Sequence, residues 1–270
     1  SVCKIDKNDI ALLAPTGRSA KRMMQSVGVS AYTIHKFLKW NKENGTFQID
    51  EYNKAQEKVI IVDEASMVDI FLFNSLLKGL KLNVKLLLIG DENQLPSIGP
   101  GDLLHDLLRM SHLKNKYLKT IYRVKDGSYI TYLASDIRER KYFDTIENKV
   151  DFTFINSYDD EIIAYLKELC NKVKDKKMSL DNFQVLIPMY KGYNGIDNVN
   201  DILAEIFNGD NNKYKFGEKY YRVNDKVIQL VNDVENNVFN GDIGYIKNII
   251  HVNDKICINI AGDGCFRMNM

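Results

Sequence analysis

The chain has 270 residues, of which 45% are hydrophobic and 27% are charged, and its formal net charge is +1. This composition is typical of a globular protein with room for two domains or for one large α/β unit. The small net charge excludes a strong overall attraction to nucleic acid or to an anionic membrane. No apolar run approaches the ~18 residues of a membrane span, so we expect no membrane partner. The four cysteines form no CxxC pair, which argues against a zinc site or a disulfide framework and favours a reducing, cytoplasmic location.

Short apolar runs in the first part of the chain alternate with helical patterns. Strands are predicted at 9–15, 58–64 and 84–91, and helices at 19–28, 69–80 and 101–110. The apolar runs are continuous rather than alternating, which predicts a parallel sheet covered on both faces. The Asn44-Gly45 pair predicts a tight turn in a small hairpin insertion at about 41–57.

The second part of the chain begins with a similar pattern and then changes character. A strand and a helix are predicted between 147 and 175, a further strand at 183–189 and a helix at 196–208. From about Tyr220, short β runs separated by Asn, Gly and Asp predict a small β module. We therefore expect a first α/β domain at 1–148, a partial second domain at 149–225 and the β module at 226–270.

Two adjacent carboxylates, Asp63 and Glu64, end the second predicted strand. Open α/β sheets bind their ligands at the carboxyl ends of the strands, and paired carboxylates there are typical of a Mg²⁺-nucleotide site. One carboxylate holds the metal through its water shell, and the next one orients or deprotonates an attacking water. A solvated strand end that caps a helix is the alternative interpretation.

The third predicted strand also ends in an acidic residue, Asp91, and a loop rich in Pro and Gly follows it with Gln94. A neutral amide can sense a γ-phosphate and a water without adding charge. If the second and third strands are parallel neighbours, Asp63 and Gln94 lie at the same edge of the sheet. The pattern therefore favours nucleotide chemistry over an exposed turn.

Seven blocks of the sequence resemble, in order, the motifs of superfamily 1 DNA helicases of the RecD/TraA type, which includes the exodeoxyribonuclease V alpha subunit. The blocks lie at 12–23, 31–40, 62–69, 88–108, 118–139, 183–203 and 221–244. The resemblance implies an α/β fold with two RecA-like parallel-sheet domains of the P-loop NTPase type, the second interrupted by a small β-barrel-like module. It also implies a motor core that couples ATP hydrolysis to movement on single-stranded DNA and to duplex unwinding.

By this resemblance, Asp63 would bind Mg²⁺ through water, Glu64 would be the base for the hydrolytic water, and Gln94 would sense the γ-phosphate of ATP. Arg123 matches the motif IV arginine, which stabilises charge on the transferred phosphoryl group. The family usually has Gln after this arginine, whereas this chain has Val124. ATP as substrate and Mg²⁺ as cofactor are therefore implied.

The resemblance also implies a surface that grips single-stranded DNA. The implied contacts come from loops and helix starts: Pro15, Thr16, Gly17, Arg18, Thr33, His35, Pro96, Ser97, Asn240 and Gly241. Backbone amides at a helix start, an arginine, hydroxyls and an imidazole can all contact phosphates. A purely structural His35 and a plain β-turn at Asn240-Gly241 remain open alternatives.

The hairpin insertion occupies the place of the family's pin, which meets the duplex fork and separates the strands. Trp40 and Phe47 are candidate contacts for a base. Aromatic residues on a hairpin more often pack against each other, and we favour packing for this pair.

The phosphate-binding loop GxxxxGK[ST] of this family occurs nowhere in the 270 residues, and neither does its motif VI. We therefore expect a truncated fragment in which ATP binding is weak or absent and hydrolysis is slight. The expected partners are single-stranded DNA, the duplex fork and the other subunits of a nuclease–helicase complex, if the parent protein works in one.

Two other functions stay open at this point. A non-catalytic nucleic-acid-binding or regulatory subunit with a degenerate ATPase site would explain the missing loop, although Asp63, Glu64, Gln94 and Arg123 are all present. A P-loop ATPase that acts on protein would have no use for loops that grip a DNA strand.

Overall fold

The computed structural model describes residues 6–118, 128–141, 146–231, 238, 241–252, 255–262 and 266–269. The chain forms two compact units, Ser1–Lys141 and Tyr142–Met270. The division into domains at 148 and 225 stays a prediction. Among the described residues, none of the helices combines the length and the apolar character that crossing a membrane requires.

The first unit is built on a parallel sheet. Its strands are β1 (Ile10–Ala14), β2 (Ala31–Thr33), β3 (Trp40–Asn41), β4 (Thr46–Phe47), β5 (Val59–Val62) and β6 (Lys85–Leu88). Its helices are α1 (Gly17–Val27), α2 (Ile34–Phe37), α3 (Ile70–Gly79), α4 (Leu103–Leu108) and α5 (Tyr129–Arg138). Within the described residues, the sheet order is β2-β1-β5-β6 and every pairing is parallel. The predicted parallel sheet is therefore confirmed.

The core of this unit lies between the sheet and its helices. Leu13 on β1, Ile60 on β5, Ile34 on α2 and Leu76 on α3 are fully buried. Each such side chain contributes roughly 1.5–3 kcal/mol relative to an exposed one. The strand residues of this core lie on one face of the sheet, whereas Leu87 on the other face of β6 is 51% exposed. The predicted cover of both faces is therefore only partial within the described residues.

Local signals set the ends of α1. Thr16 caps the start of the helix, since its Oγ1 accepts a hydrogen bond from the Ser19 amide at 3.1 Å. Gly28 ends it in the left-handed conformation at φ 69°, and its amide donates to the Met24 carbonyl. The loop that contains Thr16 is thereby fixed to the end of β1.

The insertion after α2 forms a short hairpin from β3 and β4. Trp40 pairs with Phe47 in its ladder, and their ring centroids lie 4.7 Å apart. Gly45 makes the turn at φ 64°, with its amide donating to the Asn41 carbonyl at 3.0 Å. The two aromatic rings pack against each other, as expected for a hairpin pair.

The second unit contains two helices and antiparallel strands within the described residues. These are α6 (Ile162–Asp175), α7 (Ile196–Asn208), β7 (Tyr214–Phe216), β8 (Lys219–Tyr221), β9 (Lys226–Ile228), β10 (Ile243–Val252), β11 (Lys255–Gly262) and β12 (Phe266–Asn269). Strands β9 to β12 form one antiparallel sheet in the order β12-β11-β10-β9, and β7 pairs with β8. The predicted β module is therefore present.

The parallel sheet expected for the second domain does not form among the described residues. Residues 183–189 have no strand partner there, and the strand predicted after 147 is reduced to a single bridge between Lys149 and Phe152. An apolar run becomes a strand only when a neighbouring ladder satisfies its backbone groups. The run at 183–189 leads instead into a loop in which the Met189 carbonyl accepts from the Ile196 amide at 2.9 Å.

Asp225 connects the β module to α7. Its carboxylate accepts hydrogen bonds from the Arg222 amide at 2.7 Å and from Asn208 Nδ2 at 2.8 Å. Burial raises the pKa of Asp225, although these hydrogen bonds act in the opposite direction. A buried carboxylate with two donors holds the start of β9 against the end of α7.

Candidate functional site

Three neighbouring strands of the first unit end at the same edge of the sheet. Leu13 on β1 is in register with Val62 on β5, which is in register with Leu88 on β6. The Asp63 amide then donates to the Leu13 carbonyl at 2.9 Å, and the Ile89 amide donates to the Val62 carbonyl at 2.8 Å. The segments that carry Thr16, Asp63 and Gln94 therefore all start from this edge.

The carboxylate pair is held by its own backbone. Asp63 Oδ1 accepts a hydrogen bond from the Glu64 amide at 2.9 Å. Glu64 has a left-handed backbone at φ 53° and ψ 40°, a conformation that costs a non-glycine residue about 1–2 kcal/mol. The Ala65 amide donates to the Ile89 carbonyl at 2.8 Å, which fixes the turn to β6. Both acidic side chains are half-buried.

Close packing at Gly90 fixes the turn after Glu64. A Cβ atom on Gly90 would lie 2.8 Å from Leu104 Cδ2 and 3.1 Å from the Ser66 amide nitrogen. A side chain at position 90 would have to displace the Leu104 methyl group and would press on the backbone of the turn. The end of β6, the turn after Glu64 and the start of α4 therefore form one tightly packed layer.

Gln94 lies in a turn just beyond the same edge. Its amide donates to the Asp91 carbonyl at 3.1 Å, and Asp91 Oδ1 accepts from the Asn93 amide at 3.0 Å. The Gln94 side chain is exposed, and so is Pro96. The side chain of Gln94 is therefore available to a ligand at the sheet edge.

Ser97 has a structural contact of its own. Its Oγ lies 2.9 Å from the Gly99 carbonyl oxygen and donates a hydrogen bond to it. The same hydroxyl lies 3.3 Å from the Gly101 carbonyl oxygen. The hydroxyl of Ser97 thus folds the loop that carries it, and its proposed contact with DNA stays a prediction.

The start of α1 presents the predicted phosphate-contacting segment. Pro15, Gly17 and Arg18 are half-buried at the end of β1. The hydroxyl of Thr16 accepts from the Ser19 amide and donates to Ser19 Oγ at 2.9 Å. The helix start, with its first amides and the Arg18 guanidinium, has the chemistry of an anion site.

The next segment is capped in the same way. Thr33 Oγ1 accepts from the Lys36 amide at 3.1 Å at the start of α2. His35 packs against the hairpin, with its ring centroid 5.8 Å from Phe47 and 6.2 Å from Trp40. Burial lowers the pKa of His35, while the charge of Asp69 acts in the opposite direction. His35 therefore supports the hairpin, which favours the structural alternative without testing a DNA contact.

The predicted residues of the later motifs are only partly described. Gly241 precedes β10 at φ 92°, and its amide donates to the Gln229 carbonyl at 2.8 Å. This bond makes it part of the β module's own turn. Asn240 and Arg123 lie outside the described residues.

The sequence patterns above did not identify Asp69, which lies between the turn after Glu64 and the start of α3. Its Oδ1 accepts from the amides of Phe71 and Leu72, both at 2.9 Å, and so caps α3. An acidic residue directly before an apolar helical pattern is the signal that could have identified it.

A hard cation fits the donor set at the sheet edge. No group of three His, Cys, Asp or Glu side chains that could hold a metal occurs in the part of the chain that the structure describes. Magnesium is usually bound by one or two carboxylates together with water and substrate phosphates. Asp63, with one oxygen already engaged by the Glu64 amide, and its neighbour Glu64 match this mode of binding.

Comparisons with known proteins identify relatives of the chain. A family model described as an AAA domain matches residues 2–100, and one described as the SH3 domain of ATP-dependent RecD-like DNA helicases matches residues 199–259. The chain is 28% identical over 240 residues to the ATP-dependent RecD2 DNA helicase of Deinococcus radiodurans, covering 88% of this chain and 32% of that protein. It is 24% identical over 310 residues to the RecBCD enzyme subunit RecD of Buchnera aphidicola, covering 88% of this chain and 52% of that protein.

The fold has a counterpart among solved structures. The Pif1 helicase from Bacteroides, in complex with ADP-AlF3 and single-stranded DNA, aligns with a TM-score of 0.54 at 18% identity. The alignment covers 98% of this chain and 65% of that one. The shared fold and the two domain matches relate the chain to DNA helicases. Its sequence is similar to the RecD-like helicases, and it spans 32% and 52% of the two relatives' lengths.

Proposed function

We propose that the protein is the motor core of an ATP-dependent DNA helicase, which couples ATP hydrolysis to movement along single-stranded DNA and to duplex unwinding. The observation that supports this most directly is the shared sheet edge. The ends of β1, β5 and β6 bring the segments of Thr16, Asp63 and Gln94 to one side of the sheet. A nucleotide site and a strand-gripping site next to each other are what such a motor requires.

In the nucleotide site, Asp63 would hold Mg²⁺ through water, and the metal would neutralise charge on the phosphates. Glu64 accepts the proton of the attacking water, and Gln94 contacts the γ-phosphate region from the neighbouring strand end. Arg123 stabilises the charge that develops on the transferred phosphoryl group. The strained backbone of Glu64 supports its role, because such strain is found where a side chain must be held in one direction.

In the DNA site, contacts go to the phosphate backbone and carry little sequence information. The residues proposed to make them are Pro15, Thr16, Gly17, Arg18, Thr33, His35, Pro96, Ser97, Asn240 and Gly241. Capping by Thr16 and Thr33 supports the assignment, since it fixes two helix starts close to strand ends. Single-stranded DNA and the duplex fork are the proposed partners.

The test uses the full-length natural protein. Glu64→Gln keeps the size of the side chain and removes the base, so we expect ATP turnover to fall by about 100-fold or more. Binding of fluorescent single-stranded DNA should change little. The matched control is Glu168→Gln on the exposed surface of α6, where Glu168 pairs with Lys172 and turnover should be unchanged. If Glu64→Gln keeps full ATP turnover, Glu64 is not the base for the hydrolytic water.

A further inference from the structure

A glycine-rich loop docks on the start of α3. Asp69 caps this helix by accepting from the Phe71 and Leu72 amides, both at 2.9 Å. The Ile70 amide, which precedes these two, donates to the carbonyl of Pro100 in the loop at 3.1 Å. The loop that follows Gln94 is thus bonded to the helix that follows the carboxylate pair.

The contact leaves no room for a side chain on the loop. A Cβ atom on Gly99 would lie 2.6 Å from Asp69 Cβ, 2.8 Å from its Cγ and 2.9 Å from its Oδ2. A Cβ atom on Gly101, which has φ 100°, would lie 3.3 Å from Ile70 Cβ. Asp69 therefore touches the loop directly with the side chain that caps the helix.

The loop 94–101 is also closed on itself by the Ser97 hydroxyl, which donates to the Gly99 carbonyl at 2.9 Å. Its apolar side chains point to solvent, with Leu95 88% and Ile98 109% exposed, so core packing does not anchor it. On the other side, Asp69 is fixed relative to Glu64. The 3₁₀ turn Ala65–Met67 joins the two, and the Val68 side chain is buried.

We propose that Asp69 is a positioning residue: its side chain, packed on Gly99, holds the loop 94–101 against α3 and so fixes Gln94 relative to Asp63 and Glu64. The role assigned to Gln94 rests on the proposed function. The contact between Asp69 and Gly99 does not depend on that function.

The first test is a steric exchange between the two positions. Gly99→Ala places a methyl group into Asp69, and overpacking of this kind should speed hydrogen exchange of the Ile70 amide by about tenfold or more. Asp69→Gly removes the obstructing side chain and retains a residue that helices accept at this cap position. The double variant Asp69→Gly/Gly99→Ala should therefore exchange more slowly at Ile70 than Gly99→Ala alone.

Asp50 offers a matched control for this exchange. Its Oδ1 also accepts from two backbone amides, those of Tyr52 and Asn53, at 2.8 and 2.9 Å. Asp50→Gly removes the same kind of side chain from the turn that follows β4, which is a different capping position of the same unit. When Asp50→Gly is combined with Gly99→Ala, the effects of the two substitutions on hydrogen exchange of the Ile70 amide should add. If Asp69→Gly is additive too, or if Gly99→Ala leaves Ile70 protected, the proposal is wrong.

The second test measures ATP hydrolysis in the full-length natural protein. A displaced Gln94 should lower kcat about tenfold with little change in the KM for ATP, and the double variant should recover part of the loss, since the coupled sites are not additive. A fall in stability without this kcat loss and recovery would mean that the contact is only structural. If the wild type hydrolyses no ATP, the proposed function fails and the role of Gln94 fails with it, while the exchange at Ile70 still decides the contact.

Discussion

At the scale of single residues, Glu64 is the most informative position of the site. It adopts a left-handed backbone at φ 53°, which disfavours every residue with a side chain. Two hydrogen bonds maintain this conformation, from the Glu64 amide to Asp63 Oδ1 at 2.9 Å and from the Ala65 amide to the Ile89 carbonyl at 2.8 Å. The protein therefore keeps a strained acidic residue where glycine would fit the backbone better.

This strain predicts that glycine at position 64 makes the protein more stable. Glu64→Gly should raise the free energy of unfolding by about 1 kcal/mol, because relief of the left-handed strain outweighs the extra entropy of glycine in the unfolded chain. Glu64→Gln, which keeps the strain, should unfold at the wild-type urea concentration. Urea titrations of the three proteins measure the difference. A less stable Glu64→Gly would show that the backbone at this position is not strained.

At the scale of elements, local sequence signals predict the end of a helix when the capping residue lies beside it in the chain. Gly28, the predicted end of the first helix, caps α1 in the structure, whereas the predicted start at 19 lies two residues after Gly17, where α1 begins behind its cap Thr16. The apolar run at 183–189 lacks a strand partner within the described residues, and no pattern inside the run could reveal this. Strand formation depends on residues distant in sequence, whereas helix ends depend on a few neighbours.

The same distinction applies to the candidate site. Asp63 and Gln94 could be placed at one sheet edge from the sequence, because neighbouring parallel strands end on the same side. The contact between Asp69 and Gly99 joins two loops distant in the chain, so no local pattern shows it. The residue types and the parallel strands that carry Asp63 and Gln94 were predictable, but β2 and the packing between the loops were not.

The contact between α2 and the hairpin predicts a dependence of stability on pH. Burial lowers the pKa of His35 below its ordinary value of 6.5, with the Asp69 charge opposing this. The unfolded chain then binds a proton more readily than the folded one. Stability from this group is therefore complete above about pH 6.5 and is lost as the pH falls toward the folded-state pKa.

His35→Phe removes the titrating group and keeps an aromatic ring against Trp40 and Phe47. We expect the variant to lose less stability than the wild type between pH 7.5 and pH 5. Urea unfolding followed by fluorescence measures this, since Trp40 is the only tryptophan of the chain and lies 6.2 Å from the His35 ring. Identical losses in both proteins would show that the imidazole is not buried enough to matter.

At the scale of the whole molecule, the net charge of +1 bears on how DNA is held. A protein with so little net charge has no general attraction to a polyanion, so affinity must come from a few local phosphate contacts. For single strands, the slope of log K against log salt is about −0.7 for each phosphate neutralised. A small negative slope is therefore expected, in contrast to the steep slope of a basic protein.

Arg18 at the start of α1 should account for one of these contacts. Arg18→Gln should weaken binding of single-stranded DNA at low salt and make the slope less negative by about 0.7, because one phosphate contact is lost. Lys172→Gln on α6, where Lys172 pairs with Glu168, removes the same charge from the exposed surface and should leave the slope unchanged. Fluorescence anisotropy with a labelled oligonucleotide over a range of salt concentrations measures both. If the two variants change the slope equally, binding is a diffuse charge effect, and the helix start at Arg18 is not part of the DNA site.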